Sequence, residues 1–203
     1  MESVTLRFAT REDAGMMMAI YMPFVLETTA TWEIAVPTRP DFEARMMQCD
    51  ADGLPWVVAE EGHALLGYAY ASRFGHRAGY AWDVEVSVYL AEDAHGRHIG
   101  TALYGALLAL LSRQGYINCY ALITEGNSAS EEFHKALGFE LCARLEHCGY
   151  KMGQWLNLCY YHLSLAKLPQ APAAPAPLYT IPADRADSVL RRAALLVKGV
   201  GVR

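Results

Sequence analysis

The chain has 203 residues, of which 53% are apolar and 19% charged, a length and balance that suit one sizeable globular domain. Its formal net charge of −5 disfavours nucleic acid as a partner, because phosphate contacts need clustered Lys and Arg. No stretch reaches the roughly 18–20 apolar residues that cross a bilayer, and the charged start lacks the apolar run of a signal peptide, so no membrane partner and a cytoplasmic location are expected.

The chain opens with Thr5–Phe8, followed by a predicted helix. Thr10 serves as its cap, Asp13 favours its start, and Ala14, Met17, Met18 and Tyr21 recur at helical spacing. A second helix is predicted over Asp41–Cys49. Pro55–Ala59 reads as a short buried strand and Leu65–Ser72 as the next, with His63 in the turn before it. Val84–Leu90 is β-branched and alternating, the pattern of a strand. A turn-rich stretch, Ala91–His98, leads into a helix with Ile99, Leu103, Ala106, Leu107 and Leu110 on one face, ended by Gly115.

Ile117–Ile123 is again a strand. Asn127 or Ser128 caps a helix carrying Ala129, Phe133, Ala136 and Leu137, which Gly138 stops. Phe139–Leu145 and Trp155–Leu165 are the last predicted strands. From Lys167 the composition turns to Pro and Ala, so residues 1–166 read as the domain and 167–203 as a linker and tail, flexible or docked on the surface. Within the tail, Asp187–Val197 has the spacing of a short helix, with Leu190, Ala194 and Val197 on one side. The five cysteines (Cys49, Cys119, Cys142, Cys148 and Cys159) include no C-x-x-C pair and read as reduced, mostly buried thiols.

Chemistry concentrates where the strand Val84–Leu90 runs through a tight loop into the helix at Ile99. A helix start offers unsatisfied N–H groups and the positive end of a dipole, which together favour a phosphate. Gly96 and Gly100 let the backbone come close. His95 and His98 share this loop, but with no third ligand nearby they do not suggest a metal.

The segment His95-Gly96-Arg97-His98-Ile99-Gly100 resembles the coenzyme motif Q/R-x-x-G-x-G/A of the GNAT acetyltransferases. It departs from that motif at His95 and at His98, which stands where the middle Gly belongs. A left-handed backbone at His98 would be strained by roughly 1 kcal/mol. The resemblance extends over about residues 5–165. Thr28-Thr29-Ala30-Thr31-Trp32, Gly67-Tyr68-Ala69-Tyr70-Ala71-Ser72 and Val84-Glu85-Val86-Ser87-Val88-Tyr89 are similar to family segments. So are His134-Lys135-Ala136-Leu137-Gly138-Phe139 and Gly149-Tyr150-Lys151-Met152-Gly153-Gln154-Trp155, and within GNATs these point to the phosphinothricin/methionine sulfoximine acetyltransferase group.

The resemblance implies an α/β (α+β) fold: a mixed, mostly antiparallel sheet of about seven strands with helices on both faces. It implies acetyl-CoA as cosubstrate, entering where Val84–Leu90 and Ile117–Ile123 splay apart. The backbone of Val88, Tyr89 and Leu90 would pair with the pantetheine arm as an added strand. The loop His95, Gly96, Arg97, His98, Ile99, Gly100 and Thr101 would hold the pyrophosphate, and Asn127 the pantetheine region. Glu85 would be the general base, its pKa raised by burial between Val84 and Val86. A backbone N–H near Tyr89 or Leu90 would stabilise the oxyanion. His134, where many GNATs carry Tyr, would bring or relay a proton to the leaving thiolate.

The acceptor side would draw on Trp32, Gly75, His76, Arg77, Tyr80, Glu85, Val86 and Ser87. Arg77 would clamp an acidic group, and Gly75 stands where close relatives often have Lys or Arg. The implied acceptor is the amino group of a small amino acid or analogue such as phosphinothricin or methionine sulfoximine. The alternatives are a peptide N-terminus, a lysine or a polyamine, or a degenerate domain that only binds acyl-CoA. Relatives suggest a homodimer.

Overall fold

A computed structural model describes residues 3–197. In chain order they form β1 (Thr5–Phe8), α1 (Ala14–Glu27), α2 (Arg39–Ala51), β2 (Trp56–Glu61), β3 (Ala64–Arg73) and β4 (Asp83–Leu90). Then come α3 (Ile99–Gln114), β5 (Asn118–Thr124), α4 (Ser128–Ala136), β6 (Glu140–Lys151), β7 (Gln154–Ser164) and α5 (Ala183–Ala194). The strands make one seven-stranded sheet in the order β1-β2-β3-β4-β5-β7-β6. Every neighbouring pair is antiparallel except β4–β5, which is parallel and is joined through α3.

Strand alternation sends β4's side chains to opposite faces. Tyr89 meets Tyr21 and Phe24 of α1 at ring distances of 4.8 and 5.2 Å. Leu90, on the other face, reaches Gly100 of α3, where a Cβ would stand 3.4 Å from its Cδ1. The helices therefore cover both faces, and the fully buried Leu103, Ala106, Leu107, Leu110 and Leu111 make α3 the centre of the core.

β6 runs on past Leu145 to Lys151, further than its sequence predicts. Its pairing skips from Leu145↔Leu158 to Gly149↔Leu156, a bulge that breaks the two-residue period by which a strand is read. His147 takes a φ of 49° there, and its N–H is donated to Asn157 Oδ1 at 2.7 Å. Beyond it, Met152 and Gly153, both at positive φ, form the two-residue turn into β7.

The C-terminal extension is docked. Gln114 Nε2 donates to the carbonyls of Gly53 and Ala176 at 2.7 and 2.9 Å, and Trp82 Nε1 to that of Ala173 at 2.8 Å. The strap carries α5 onto α3 and β1. The buried face of α5 is Ala186, Val189, Leu190 and Ala193, and Ala194 and Val197 pack partly buried against the same core, so the inward side expected at Leu190, Ala194 and Val197 is the one that docks. The helix runs Ala183–Ala194, so it begins behind Pro182 and earlier than the Asp187 start read from sequence.

Candidate active site

β4 and β5 hydrogen-bond as neighbours over only three positions, Asp83↔Asn118, Val84↔Cys119 and Glu85↔Tyr120. Beyond them Val86–Leu90 and Ala121–Thr124 diverge, although each stays paired on its outer side with β3 or β7. The wedge exposes strand edges whose N–H and C=O groups face each other across a gap, which an extended chain carrying amides can satisfy. A cavity of about 450 Å³ fills it, lined by Val86, Ser87, Val88, Tyr89 and Leu90 of β4 and by Ala121, Leu122 and Ile123 of β5. Asn127, Phe133 and His134 close it from α4, and Tyr104 from α3.

At one end of the cavity lies the start of α3. No side chain caps this helix, so its first N–H groups are left for a ligand. Gly96 sits at φ +74° and His98 at φ 62°, ψ 18°, the left-handed conformation that the motif's middle Gly would adopt freely. His95, Gly96, His98, Ile99, Gly100 and Thr101 all line the cavity. Arg97 does not: its guanidinium turns to Glu61 of β2, with N–O distances of 2.8 and 3.1 Å. Asn127 caps α4 through its Oδ1, which accepts from the Ser130 N–H at 3.3 Å, so its side-chain N–H groups are left for a ligand.

Glu85 occupies the last β4–β5 bridge, the vertex of the wedge. It is half-buried, and burial pushes its carboxyl above the ordinary range. Its face is shared with its cross-strand neighbours Ser72 and Tyr120. Tyr120 begins an aromatic shelf leading outward, with Phe74 at 4.5 Å, His162 at 5.0 Å, and Tyr80 packed on Phe74 at 5.5 Å. Gly75, His76 and Arg77 sit at the outer rim of this shelf, in the turn between β3 and β4. Arg77 is exposed and forms no ion pair among the described residues. A Cβ at Gly75 would come within 2.9 Å of the Tyr80 ring, so any cation placed there displaces Tyr80. Trp32 donates its Nε1–H to Thr124 Oγ1 at 2.8 Å, at the open end of β5.

His134 is buried, and burial pulls its pKa down, while the backbone contact to Ser130 opposes the shift. In the neutral ring Nδ1–H is donated to the Ser130 carbonyl at 2.7 Å, which leaves Nε2 as an acceptor facing the Tyr104 hydroxyl at 2.9 Å. Tyr104 also lies 3.1 Å from the Val86 carbonyl, so one phenolic proton serves two acceptors. Burial holds the phenol protonated. Sequence reasoning missed Tyr104 because in α3 it reads as one more apolar core position. It missed Tyr120 and His162 because their pairing with Glu85's face depends on strand order.

A strand-splayed cavity ending at an uncapped helix start calls for a nucleotide-linked, amide-bearing ligand, and comparison with known proteins says which. The profile of the Acetyltransferase (GNAT) domain family matches residues 6–159. The chain belongs to the GNAT acetyltransferase family. It is 35% identical to a phosphinothricin N-acetyltransferase of Alcaligenes faecalis over 75% of this chain and 78% of that protein. It is 34% identical to an L-methionine sulfoximine/L-methionine sulfone acetyltransferase of Pseudomonas aeruginosa over 84% of this chain and 99% of that one. A GNAT superfamily phosphinothricin acetyltransferase from Sinorhizobium meliloti, solved in complex with acetyl-CoA, superposes with a TM-score of 0.77 at 34% identity, covering 84% of this chain and 95% of its own.

Acetyl-CoA is thus the cosubstrate of this GNAT enzyme, and the wedge fits it. The open β4 edge suits the amides of the pantetheine arm, and the α3 start suits a pyrophosphate. His98→Gly is expected to leave CoA affinity within about fivefold of the wild type, because the left-handed backbone is already formed in the unliganded chain and its roughly 1 kcal/mol of strain falls on the fold and not on binding. Calorimetry checks this. A Kd weakened tenfold would mean that the imidazole itself holds the ligand.

Proposed function

We propose that this acetyltransferase transfers the acetyl group of acetyl-CoA to the amino group of a small amino acid or analogue of the phosphinothricin or methionine sulfoximine/sulfone type. The observation that carries the reading is the position of Glu85, at the wedge vertex between the cavity and the aromatic shelf. An acceptor lying on the shelf would present its amine to the carboxylate.

An amine attacks only when neutral, and its reference pKa is near 8, so a base must take its proton. Glu85, with a pKa raised by desolvation, suits that task at neutral pH. Bound acetyl-CoA supplies the thioester carbonyl. Backbone N–H groups on the open β4 edge near Tyr89 and Leu90 would receive the developing oxyanion. Tyr104, oriented by His134 Nε2, would donate a hydrogen bond to the departing thiolate. His134, whose Nε2 accepts from Tyr104, would relay a proton and not supply one: the thiolate gains one proton for the one that Glu85 takes from the amine. Val88, Tyr89 and Leu90 would hold the pantetheine arm, with Asn127 across from them, and the backbone of His95–Thr101 would hold the pyrophosphate.

Arg77 would meet the acceptor's acidic group at the rim, with Trp32, Tyr80, Val86 and Ser87 shaping the pocket. Because Arg77 is exposed, its contact lies at the weak end for a charged hydrogen bond, and Arg77→Ala is expected to raise the acceptor KM about tenfold. Steady-state kinetics with phosphinothricin, methionine sulfoximine and a polyamine, reading thiol release, tests the assignment. A polyamine as the best acceptor, or an unmoved KM in Arg77→Ala, would overturn the amino-acid assignment and leave the acetyltransferase activity standing. A polyamine reading has little support in the geometry: Asp83, the other acid of β4, is engaged by Asn118 Nδ2 at 2.7 Å.

The working form we propose is a homodimer in the cytoplasm. β6 is an edge strand, and Leu145, Tyr150 and Trp155 are 44%, 57% and 64% exposed on the β6–β7 hairpin. A second copy covering this face would remove both the open edge and the apolar surface. Sedimentation should give twice the chain mass, and Trp155→Asp should give one chain mass. A wild-type monomer at micromolar concentration would contradict the dimer.

A further inference from the structure

Lys151, the last residue of β6, is only 5% exposed and makes no ion pair among the described residues. Its ammonium donates instead to two backbone carbonyls, Thr31 at 2.7 Å and Phe24 at 3.4 Å. A buried ammonium gives up its hydration shell, and it persists only where fixed acceptors replace the water.

The two carbonyls lie at either end of one segment. Phe24 is in the last turn of α1, at the negative end of the dipole, and its carbonyl accepts from the Thr28 hydroxyl at 2.8 Å as well as from Lys151. Thr31 lies in the loop that follows, and its hydroxyl is bonded to Tyr21 at 2.6 Å. Between these anchors the segment bridges the wedge. On the β4 side the Phe24 ring meets Tyr89 at 5.2 Å, and Phe24 and Ala30 line the cavity. On the β5 side Thr124 Oγ1 donates to the Thr29 carbonyl at 2.5 Å and accepts from Trp32. The Trp32 ring lies flush on Gly149 of β6, where any Cβ would overlap it.

We propose that Lys151 is a positioning residue for acetyl transfer: its ammonium clamps residues 24–32 across the mouth of the wedge and holds Trp32 in place as the acceptor-side wall. The proposal rests on the wedge being the acetyl-CoA site. Burial lowers the pKa of this ammonium while the charge of Glu33 opposes that shift, as a cation held chiefly by neutral acceptors requires.

The test uses the full chain and two variants. Lys151→Met keeps the length of the side chain and removes its donors. Gly149→Ala leaves Lys151 in place and pushes Trp32 off the other side of the same wall. In both, amide hydrogen exchange over residues 24–32 should quicken by about tenfold or more, with α3 and β5 unchanged. The acceptor KM should rise about tenfold while kcat changes by less than about threefold. Wild-type exchange and KM in Lys151→Met would overturn the clamp. So would exchange that quickens evenly across the sheet with KM unmoved, the result of a purely structural role. The exchange measurement needs no turnover, so it decides the clamp even if no amine is acetylated, while loss of CoA binding in the wild type would instead count against the acetyltransferase site.

Discussion

Replacing Glu85 by glutamine is expected to lower kcat by about 10²–10⁴-fold, the usual cost of losing a general base, with CoA affinity nearly unchanged. Glutamine keeps the shape of the side chain and cannot take a proton. The proposed coenzyme site relies on backbone groups of β4 and the α3 loop, and Glu85 does not line that cavity. The pH dependence has a definite sign. In the wild type the base works only when ionised, so kcat/KM should rise as pH climbs through the raised Glu85 pKa, and the variant should lose that rise. Stability should move the other way. A carboxyl whose folded pKa is raised favours the fold while protonated, and that contribution is lost as pH rises through the folded value. Glu85→Gln should therefore melt slightly above the wild type at pH 7, with the difference vanishing below the ordinary carboxylate range. Kinetics and thermal melts on the same samples check both signs. A near-normal rate at pH 7 would place the base elsewhere.

The second large effect concerns the C-terminal extension. Leu190 is 4% exposed, on the face that α5 lays on α3 and β1. Its replacement by alanine should cost about 2–5 kcal/mol, the range for a buried leucine. For a chain of this size that corresponds to a melting temperature lower by roughly 4–20 °C. A shift under about 1 °C would show that the extension adds nothing to the stability of the fold. The expectation matters because the first turn of α3 lines the cavity and α3 also packs on α5, so the tail supports the helix on which the proposed site depends.

How much was readable beforehand differs between the elements. The strand–loop–helix at β4–α3 was legible to within one residue, because Val84–Leu90 alternates and Gly96 and Gly100 punctuate the turn. At His98 the sequence left the backbone open between the left-handed form of the motif's Gly and a different loop shape, and the structure takes the left-handed form. The end of β6 was not, since a bulge at Leu145–Gly149 erases the period of two. Within the site, residues that act through their own position on a motif strand could be named, Glu85 first. Residues that become neighbours only through sheet order could not: Tyr120 and His162 reach Glu85's face because β5 lies between β4 and β7. Arg97 could be named only with its loop, and the direction of its side chain could not be read, because its partner Glu61 lies 36 positions earlier. Tyr104 was hidden by composition, since a tyrosine among leucines and alanines of a helix signals core packing until its hydroxyl is seen facing His134.

The gap between β4 and β5 is proposed as the acetyl-CoA site despite His95 and His98 in its loop. Isothermal titration of the full chain with CoA measures this without any assumption about the acceptor. One saturable site per chain is expected, competed by acetyl-CoA and retained in Glu85→Gln. Absence of binding at millimolar CoA would contradict it.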